Sequence, residues 1–279
     1  MPASDPKQSH RPLSVLGFDT LRCLFVDRRT NSLLVMIRTT IICAVWHKDE
    51  NRERILCEHA ENVAKQTLKV NSIYVFDNSD SPPKWLEANK IVSSASLTIY
   101  EAWNLALAAT VTPFVMNLNL DDRLCLDAIE LLEGTAEKEN AFLVGGDWKI
   151  CYSQEETNRV ASSYSAFDVP FVEQWPPVRG TNTRLGSGTG NRGTFGPATM
   201  WSMNCHLRFP RYPYRTTDGS KIFAVADTLW WTFLNNNLRV KSVRIPKIIG
   251  NYFSHPNSQL EFRHANELQS VRSKSISLI

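Results

Sequence analysis

Residues 113–122 of the 279-residue chain read Pro-Phe-Val-Met-Asn-Leu-Asn-Leu-Asp-Asp, an apolar run that ends in two adjacent acids. The apolar run predicts a buried strand, which puts Asp121 and Asp122 at its tip. Two neighbouring carboxylates are costly there without a positive partner. A divalent cation that carries phosphate oxygens is such a partner, since hard cations prefer carboxylate ligands. A solvated turn, or a cap of the following helix, explains the pair equally well, so both interpretations stay open.

The composition is that of an ordered globular protein without a strong net charge. The chain has 43% hydrophobic residues, eight Trp and a formal net charge of +3. These values argue against disorder and against a nucleic-acid binder held mainly by phosphate contacts. The six Cys are scattered without zinc-finger spacing, as expected for thiols in a reducing compartment.

Neither a signal peptide nor a membrane span is predicted. Residues 1–11 are polar and lack the apolar core of a signal peptide. The apolar run at residues 33–46 is too short to cross a bilayer, and Arg38 interrupts it. We therefore expect a cytoplasmic protein without a transmembrane segment.

Strands and helices alternate from residue 39 onward. β-Branched and apolar residues predict strands at 39–45, 72–76 and 113–118. Between these strands, the apolar positions are spaced as on one face of a helix, over residues 55–64 and again over 100–109. Such alternation is typical of an α/β fold, in which helices cover both faces of a mostly parallel sheet.

Polar residues follow each of these three predicted strands. They occupy residues 46–49, residues 77–79 and residues 119–122. In open parallel sheets, ligands bind at the carboxyl ends of the strands. The three loops are therefore predicted to converge on one crevice.

The pattern is less regular after residue 140. It predicts a strand at 141–144, a polar loop over 152–195, helices at 197–206 and 224–236, and a strand at 239–245.

The glycines of the polar loop match a dinucleotide-binding spacing at Gly188, Gly190 and Gly193. That motif requires a strand before it and a helix after it, and neither is predicted here. We interpret the segment as a flexible loop that closes over a substrate.

Three further side chains allow either a structural or a chemical role. Asp77 either forms an Asx-turn with Ser79 or accepts hydrogen bonds from a ligand. Asp227 either caps the apolar helix that begins near it or acts as a general base. His255 is either an ordinary surface histidine or a metal ligand.

Taken in chain order, these segments resemble the family 2 glycosyltransferases, which have the GT-A fold. The resemblance covers residues 39–256. It rests on the opening strand and turn at 40–48, the helix end at Gln66-Thr67, the segment Val75 to Asp80, the helix segment Ala102 to Leu107, residues 118–124 in place of a D-x-D-D metal motif, Asp227 at the catalytic position, and Tyr252 to Ser258 in place of a Tyr-x-x-His-x-x-Ser element.

The resemblance implies a GT-A-like three-layer α/β/α sandwich with a mixed, mostly parallel sheet. It also implies an inverting, hexosyltransferase-like enzyme that moves a sugar from a nucleotide-diphosphate sugar to an acceptor hydroxyl, assisted by Mn²⁺ or Mg²⁺. The acceptor is expected to be a glycan, a lipid-linked molecule or a protein. Polysaccharide or glycan assembly of this kind also allows a peripheral position at a membrane. The chain has no Gln-x-x-Arg-Trp stretch, which favours a non-processive enzyme.

The resemblance assigns a role to each matching residue. Asp227 is the expected catalytic base, and Asp121 and His255 are the expected metal ligands. The expected contacts of the nucleotide sugar are Ala44, Trp46, Asp77, Asn104, Asn119 and Asp121. The arginines of the polar loop that are expected to help bind the diphosphate are Arg179, Arg184 and Arg192.

The chain departs from the family pattern at two acids. Asn119 replaces the first acid of the metal motif, and Ala226 replaces the acid that often precedes the base. These departures favour an alternative, a non-catalytic module that binds a sugar nucleotide or a partner. A nucleotidyltransferase is a further alternative, but its Gly-rich basic loop is missing at residues 46–49.

The predicted organisation has three parts. Residues 1–38 form an N-terminal extension of unknown role, and residues 259–279 form a polar tail. The GT-A-like domain covers 39–258, with a nucleotide-binding half at 39–125 and an acceptor half at 126–258.

Overall fold

The computed structural model describes residues 36–45, 50–168, 184–185, 199–207, 211–234, 240–254 and 270–271. The chain divides into two units, residues 1–36 and 37–279, and only Met36 of the first unit is described. The role of the N-terminal extension and the boundary between the two predicted halves stay predictions. No helix in the described part of the chain is long and apolar enough to cross a membrane.

Among the described residues, the second unit contains one sheet and five α-helices with complete bounds, and residues 270–271 are also helical. The strands are β1 (Thr39–Val45), β2 (Asn71–Phe76), β3 (Asn89–Val92), β4 (Phe114–Asn117), β5 (Arg123–Leu124), β6 (Leu143–Cys151), β7 (Tyr164–Ser165), β8 (Arg184–Leu185), β9 (Met200–Ser202) and β10 (Ser242–Phe253). The helices are α1 (Arg52–Ala64), α2 (Ile99–Ala108), α3 (Ala128–Glu139), α4 (Gln154–Asn158) and α5 (Ala226–Phe233), and short 3-10 helices span Ala166–Asp168 and Met203–Leu207.

The sheet is mixed, with the strand order β3-β2-β1-β4-β9-β6-β10-β5. Strands β3, β2, β1 and β4 run parallel to one another, and β6 runs parallel to β10. Strand β9 runs antiparallel to β4 and β6, and β5 runs antiparallel to β10. The short strands β7 and β8 pair with β10 and β6 away from this main path.

Helices cover both faces of the sheet. Consecutive side chains of a strand point to opposite faces, so the neighbours of consecutive buried residues show what covers each face. Ile41 of β1 belongs to a core cluster with Ala128 and Leu132 of α3. Its neighbour Ile42 belongs to the opposite cluster, with Trp103 of α2 and residues of α5. The predicted three-layer α/β/α arrangement is therefore confirmed.

The helix predicted at residues 197–206 is wrong over the part that the structure describes. Met200–Ser202 form strand β9, which pairs with β4 on one side and β6 on the other. Trp201 is fully buried between them. A short apolar run has no period of its own that separates a strand from a helix, so its neighbours decide.

Strand β10 is longer than the predicted strand at 239–245. It continues past Pro246 to Phe253, and its register against β6 shifts between Ile245 and Ile248 and again between Ile248 and Gly250. Proline cannot donate to a ladder, so a bulge lets the strand continue around it.

The residues after Pro83 form a turn, in which the N–H of Leu86 donates to the Pro83 carbonyl at 3.2 Å. Two features of the fold also differ from the sequence analysis. Strand β3 was not predicted, and the supposed loop at 152–195 contains α4 and β7.

Gly250 of β10 pairs with Leu124 of β5 on one side and with Trp148 of β6 on the other. A Cβ atom at this position would lie 2.6 Å from the carbonyl oxygen of Arg123 and closer still to the ring of Trp148. Trp148 is fully buried, so its ring has no room to withdraw.

We expect Gly250→Ala to lower the free energy of unfolding by about 2 kcal/mol, because the added methyl overlaps a buried ring and a backbone carbonyl. Urea unfolding measures the change. Gly134→Ala is the matched control, since nothing lies within 4 Å of its added Cβ. Gly134 is inside α3, so alanine there should stabilise the protein by about 0.5–1 kcal/mol. Similar changes in both variants would contradict the tight packing at Gly250.

Candidate functional site

The carboxyl ends of three parallel strands lie side by side at one edge of the sheet. The register pairs Val45, the last residue of β1, with Phe76, the last residue of β2. On the other side of β1, Ile42 pairs with Asn117, the last residue of β4. The loops that leave these strands therefore begin at the same edge.

Two of the three predicted polar loops are described at this edge. Asp77 follows β2 directly, and residues 119–122 follow β4. Ala44, an expected donor contact, lies next to the end of β1 and is half-buried. Residues 46–49, which include Trp46, lie outside the described residues.

The acidic pair is buried, which excludes a solvated turn. Asp121 is 5% exposed and Asp122 is 1% exposed. The pair does not cap the following helix either, because α3 begins at Ala128 with Asp127 as its N-cap residue. Both structural interpretations left open by the sequence are therefore wrong.

Burial and the neighbouring Asp121 carboxylate raise the pKa of Asp122 well above its ordinary value. The backbone N–H of Phe253, which donates to Oδ1 of Asp122 at 3.0 Å, opposes this shift. The Arg123 guanidinium and the Asn119 side chain oppose it as well. The hydrogen bond from Phe253 joins the acidic loop to the end of β10.

The buried Arg123 fixes the acidic loop, residues 119–122, through hydrogen bonds. Its guanidinium is 1% exposed, and each of its five N–H groups has an acceptor. The acceptors are the carbonyls of Leu120 at 2.9 Å, Asp122 at 2.7 Å and Ile55 at 3.3 Å, Oδ1 of Asn158 at 2.8 Å and Oε2 of Glu58 at 3.4 Å. No N–H of Arg123 is therefore left to bind a phosphate. The sequence analysis missed this residue, although a basic residue directly after two acids was a usable signal.

Asp77 ties the end of β2 to the start of α2. Its Oδ2 accepts hydrogen bonds from the backbone N–H of Leu97 at 3.0 Å and from the Asn78 amide at 3.2 Å. Of the two interpretations of Asp77, the Asx-turn with Ser79 is not formed, because the N–H of Ser79 donates to the Ser93 carbonyl at 2.8 Å. Asn78 and Ser79 both have positive φ, at 52° and 61°, so the chain turns sharply after Asp77.

Helix α2 begins with a capping box formed by Thr98 and Glu101. On the same helix, Oδ1 of Asn104 accepts from the backbone N–H of Tyr212 at 2.7 Å, and its Nδ2 donates to the Tyr212 carbonyl at 3.0 Å. The Asn104 amide thus holds the segment around Tyr212 against α2. Its expected contact with the donor sugar stays a prediction.

Asp227 lies inside the first turn of α5 rather than at its N-cap. The N–H of Leu229 bonds to the carbonyl of Val225, which makes Val225 the residue before the helix. Oδ1 of Asp227 accepts a hydrogen bond from the hydroxyl of Tyr100 at 3.3 Å. An acid in the first turn is also stabilised by the helix dipole.

Aromatic rings surround this contact. The ring centroids of Tyr100 and Trp103 are 5.4 Å apart, and those of Tyr212 and Trp230 are 5.1 Å apart. Burial and the Asp227 carboxylate raise the pKa of Tyr212 well above its ordinary value, so its hydroxyl is neutral. The sequence analysis did not single out Tyr100 or Tyr212, since nothing local marks a side chain whose partner is distant in the chain.

Several expected site residues lie outside the described residues. They are His255, Arg179 and Arg192, together with the side chain of Arg184. Ser254, the residue before His255, is fully buried, and it follows the Phe253 whose N–H bonds to Asp122.

The described residues fit a divalent cation through the chemistry of their donors. Asp121 and Asp122 offer adjacent buried carboxylates, and the like charge of Asp121 disfavours ionised Asp122 until a cation compensates. Among the residues that the structure describes, no group of three His, Cys, Asp or Glu could hold a metal ion. A complete ligand set therefore needs His255, water or ligand oxygens in addition.

Comparison with known proteins gives a match at the level of structure. No protein-family model matches the chain, and no curated protein resembles it in sequence. The structure of S. aureus TarS residues 1–349 has a TM-score of 0.52 at 16% identity, covering 78% of this chain and 60% of that one. The same fragment in complex with UDP-GlcNAc has a TM-score of 0.53 at 12% identity, covering 80% of this chain and 60% of that one. The mannosyltransferase PcManGT from Pyrobaculum calidifontis, in complex with GDP-Man and Mn²⁺, has a TM-score of 0.51 at 11% identity. The match covers 86% of this chain and 66% of that one.

This likeness concerns the fold. The chain has the mixed α/β sheet and covering helices of a GT-A-like glycosyltransferase fold, as the sequence analysis predicted. The chain spans about 60% of the length of the TarS fragment that it matches.

We expect Arg123→Lys to lower the free energy of unfolding by about 2–4 kcal/mol, since one ammonium group cannot serve five acceptors and leaves buried carbonyls unpaired. Urea unfolding measures this loss. Arg54→Lys is the control, because Arg54 makes one exposed ion pair with Glu58 and should change stability by less than about 0.5 kcal/mol. Equal stability of both variants would contradict the proposed role of the five Arg123 hydrogen bonds in holding the acidic loop.

Proposed function

We propose that this protein is an inverting, non-processive glycosyltransferase of family 2, which transfers a sugar from a nucleotide-diphosphate sugar to an acceptor hydroxyl. The observation that carries the proposal is the gathering of carboxylates at one edge of the sheet. Asp77 and the pair Asp121–Asp122 follow neighbouring strands there, and α2 connects this edge to Asp227 through Tyr100.

The neighbours in fold support the class of substrate. TarS was determined in complex with UDP-GlcNAc, and PcManGT in complex with GDP-Man and Mn²⁺. Each complex places a nucleotide-diphosphate sugar on a chain of this fold. For the present chain, a donor of the same chemical class is our proposal.

The nucleoside is proposed to bind across the ends of β1 and β2, near Ala44, Trp46 and Asp77. The amide of Asn119 cannot supply a carboxylate but can hydrogen-bond a hydroxyl of the ribose or the sugar. The diphosphate would lie beside Asp121. Its negative charge needs a positive partner there, and Arg123 has no N–H left to give.

Asp121 and His255 are the residues that we propose to hold Mn²⁺ or Mg²⁺. Such an ion, when bound, stabilises the diphosphate as it leaves. Arg179, Arg184 and Arg192 are proposed to add positive charge from the polar loop. Because Asn119 lacks a carboxylate, the site has one acid fewer than the family motif.

Asp227 is proposed to take the proton from the attacking acceptor hydroxyl. The hydroxyl oxygen then forms a bond to the anomeric carbon while the bond from that carbon to the diphosphate oxygen breaks. The electron pair of the broken bond leaves with the nucleotide diphosphate. A single base with attack opposite the leaving group inverts the anomeric carbon.

The acceptor is proposed to be a glycan, a lipid-linked molecule or a protein, as part of polysaccharide or glycan assembly. The cytoplasm, or its face of a membrane that carries the acceptor, is the proposed location. No nucleic-acid partner is proposed, because the charge is nearly balanced.

Calorimetry with UDP, GDP and dTDP, with and without Mn²⁺, tests the donor site. One nucleotide is expected to bind, and Mn²⁺ should tighten it by roughly tenfold or more, which corresponds to about 1.4 kcal/mol or more. Asp121→Asn should lose this gain. Glu137→Gln should keep it, because Glu137 pairs with Arg38, which precedes β1 at the opposite end of the strand from the site. Equal affinities with and without Mn²⁺ in the unaltered protein would contradict the role of Asp121.

Asp227→Asn is expected to lower sugar transfer by roughly 10²-fold or more, the scale of a lost general base, while nucleotide affinity stays the same. Transfer and slow donor hydrolysis are measured with a panel of nucleotide sugars, again with Glu137→Gln as the control. Full turnover by Asp227→Asn would refute the assignment of the base. Nucleotide binding by the unaltered protein without transfer or hydrolysis would favour the non-catalytic module.

A further inference from the structure

The contact between Tyr100 and Asp227 joins two parts of the chain that are far apart in sequence. The Tyr100 hydroxyl donates to Oδ1 of Asp227 at 3.3 Å, and the Tyr100 side chain is 3% exposed. A carboxylate oxygen can only accept, so the direction of this hydrogen bond is fixed while Asp227 is charged. A base that accepts such a bond is oriented by its donor.

The ring of Tyr100 is held on several sides. It meets Trp103 edge to face, with centroids 5.4 Å apart and an interplanar angle of 81°. It also packs against Tyr212, at 5.9 Å between centroids. Tyr212 is itself fixed by two backbone hydrogen bonds to the Asn104 amide. The hydroxyl therefore approaches Asp227 from a rigid support.

The start of α2, which carries Tyr100, is held by two separate sets of hydrogen bonds. The N–H of Leu97 bonds to Asp77 at the end of β2. Lys221 donates to Glu101 of the capping box at 3.1 Å and to the Ser96 carbonyl at 3.2 Å. Helix α2 thus sets the position of the hydroxyl relative to the proposed donor site.

We propose that Tyr100 is a positioning residue for the base Asp227, which it orients and keeps charged through its hydroxyl. This inference rests on the proposed function, because Tyr100 can position a base only if Asp227 acts as one. The bond leaves Asp227 in its charged form more readily, since donation to a carboxylate favours ionisation. Orientation matters because a general base must reach the proton that it removes.

Among the described residues, the titratable groups that face Asp227 include Tyr100 on α2 and Tyr212 on residues 211–214. The pKa of Tyr212 is raised by burial and by Asp227 itself. Tyr212 therefore stays neutral wherever Asp227 titrates. Removal of the Tyr100 hydroxyl should then act on Asp227 without a compensating charge change at Tyr212.

Tyr100→Phe separates the hydroxyl from the packing of the ring. Tyr164→Phe is the matched control, because Tyr164 lies on β7 beside β10 and outside the proposed site. In protein labelled with ¹³C at the aspartate carboxyl, the resonance that is missing in Asp227→Asn belongs to Asp227. Its titration is followed in the unaltered protein and in both Tyr variants.

We expect the titration midpoint of Asp227 to rise by roughly 0.5–1 pH unit in Tyr100→Phe, since the lost hydrogen bond favoured the charged form. The midpoint should not change in Tyr164→Phe. Under transfer conditions, the acid limb of kcat/KM should move to higher pH in Tyr100→Phe alone, with nucleotide affinity retained. An unchanged midpoint and an unchanged acid limb would overturn the proposal.

The two readouts separate this inference from the function on which it rests. The carboxyl titration needs no turnover, so it reports on the hydrogen bond in either case. A raised midpoint without any sugar transfer would overturn the proposed function and the positioning role together, and leave only the hydrogen bond. Transfer with an unchanged midpoint would overturn the positioning role alone.

Discussion

The buried guanidinium of Arg123 is the constraint on which the site depends. A charge without access to water is tolerated only when its N–H groups are paired, and here they hold the acidic loop to α1 and α4. The same guanidinium bonds to the carbonyls of Leu120 and Asp122, which fixes the backbone that carries both carboxylates. As a result, Arg123, the arginine nearest to the acidic pair in sequence, has no N–H left to bind an anion. Any anion at this edge must therefore find its positive partner elsewhere, which is why the proposed chemistry relies on a cation or the polar loop.

Helix α2 links the two ends of the proposed reaction. At its start, Asp77 accepts from the backbone beside the helix cap, and one turn later the Tyr100 hydroxyl meets Asp227. The Asn104 amide then holds the segment that leads towards α5. The proposed donor recognition and the proposed proton removal would thus share one rigid element. A shift of α2 by a fraction of an ångström would be felt at both ends, because packed interiors transmit strain.

The sequence predicted those parts of the fold whose patterns are local. Strand β1 and helix α2 carry long, regular apolar patterns, so their existence and type were predicted. The polar residues after β2 and β4 were also predicted to lie at one edge of the sheet, as they do. Strand β9 was missed because its three residues become a strand only through pairing with β4 and β6. The sequence left the Asx-turn at Asp77 open because the true partner of the Ser79 N–H is the carbonyl of Ser93, which lies beyond a strand that the pattern did not predict. The contact of Tyr100 with Asp227 spans the sheet-forming chain between them, and no local signal encodes it.

The bulged strand β10 has a consequence for how this chain can vary in length. Between Ile245 and Gly250 the strand advances five residues while β6 advances two, from Gly146 to Trp148. Side chains of a strand alternate between faces, so the loss or gain of one residue here would exchange inward and outward positions for the rest of the strand. It would also carry the N–H of Phe253 away from Asp122. Related chains should therefore keep the spacing of this segment fixed, even where its residues drift and surface loops lengthen freely.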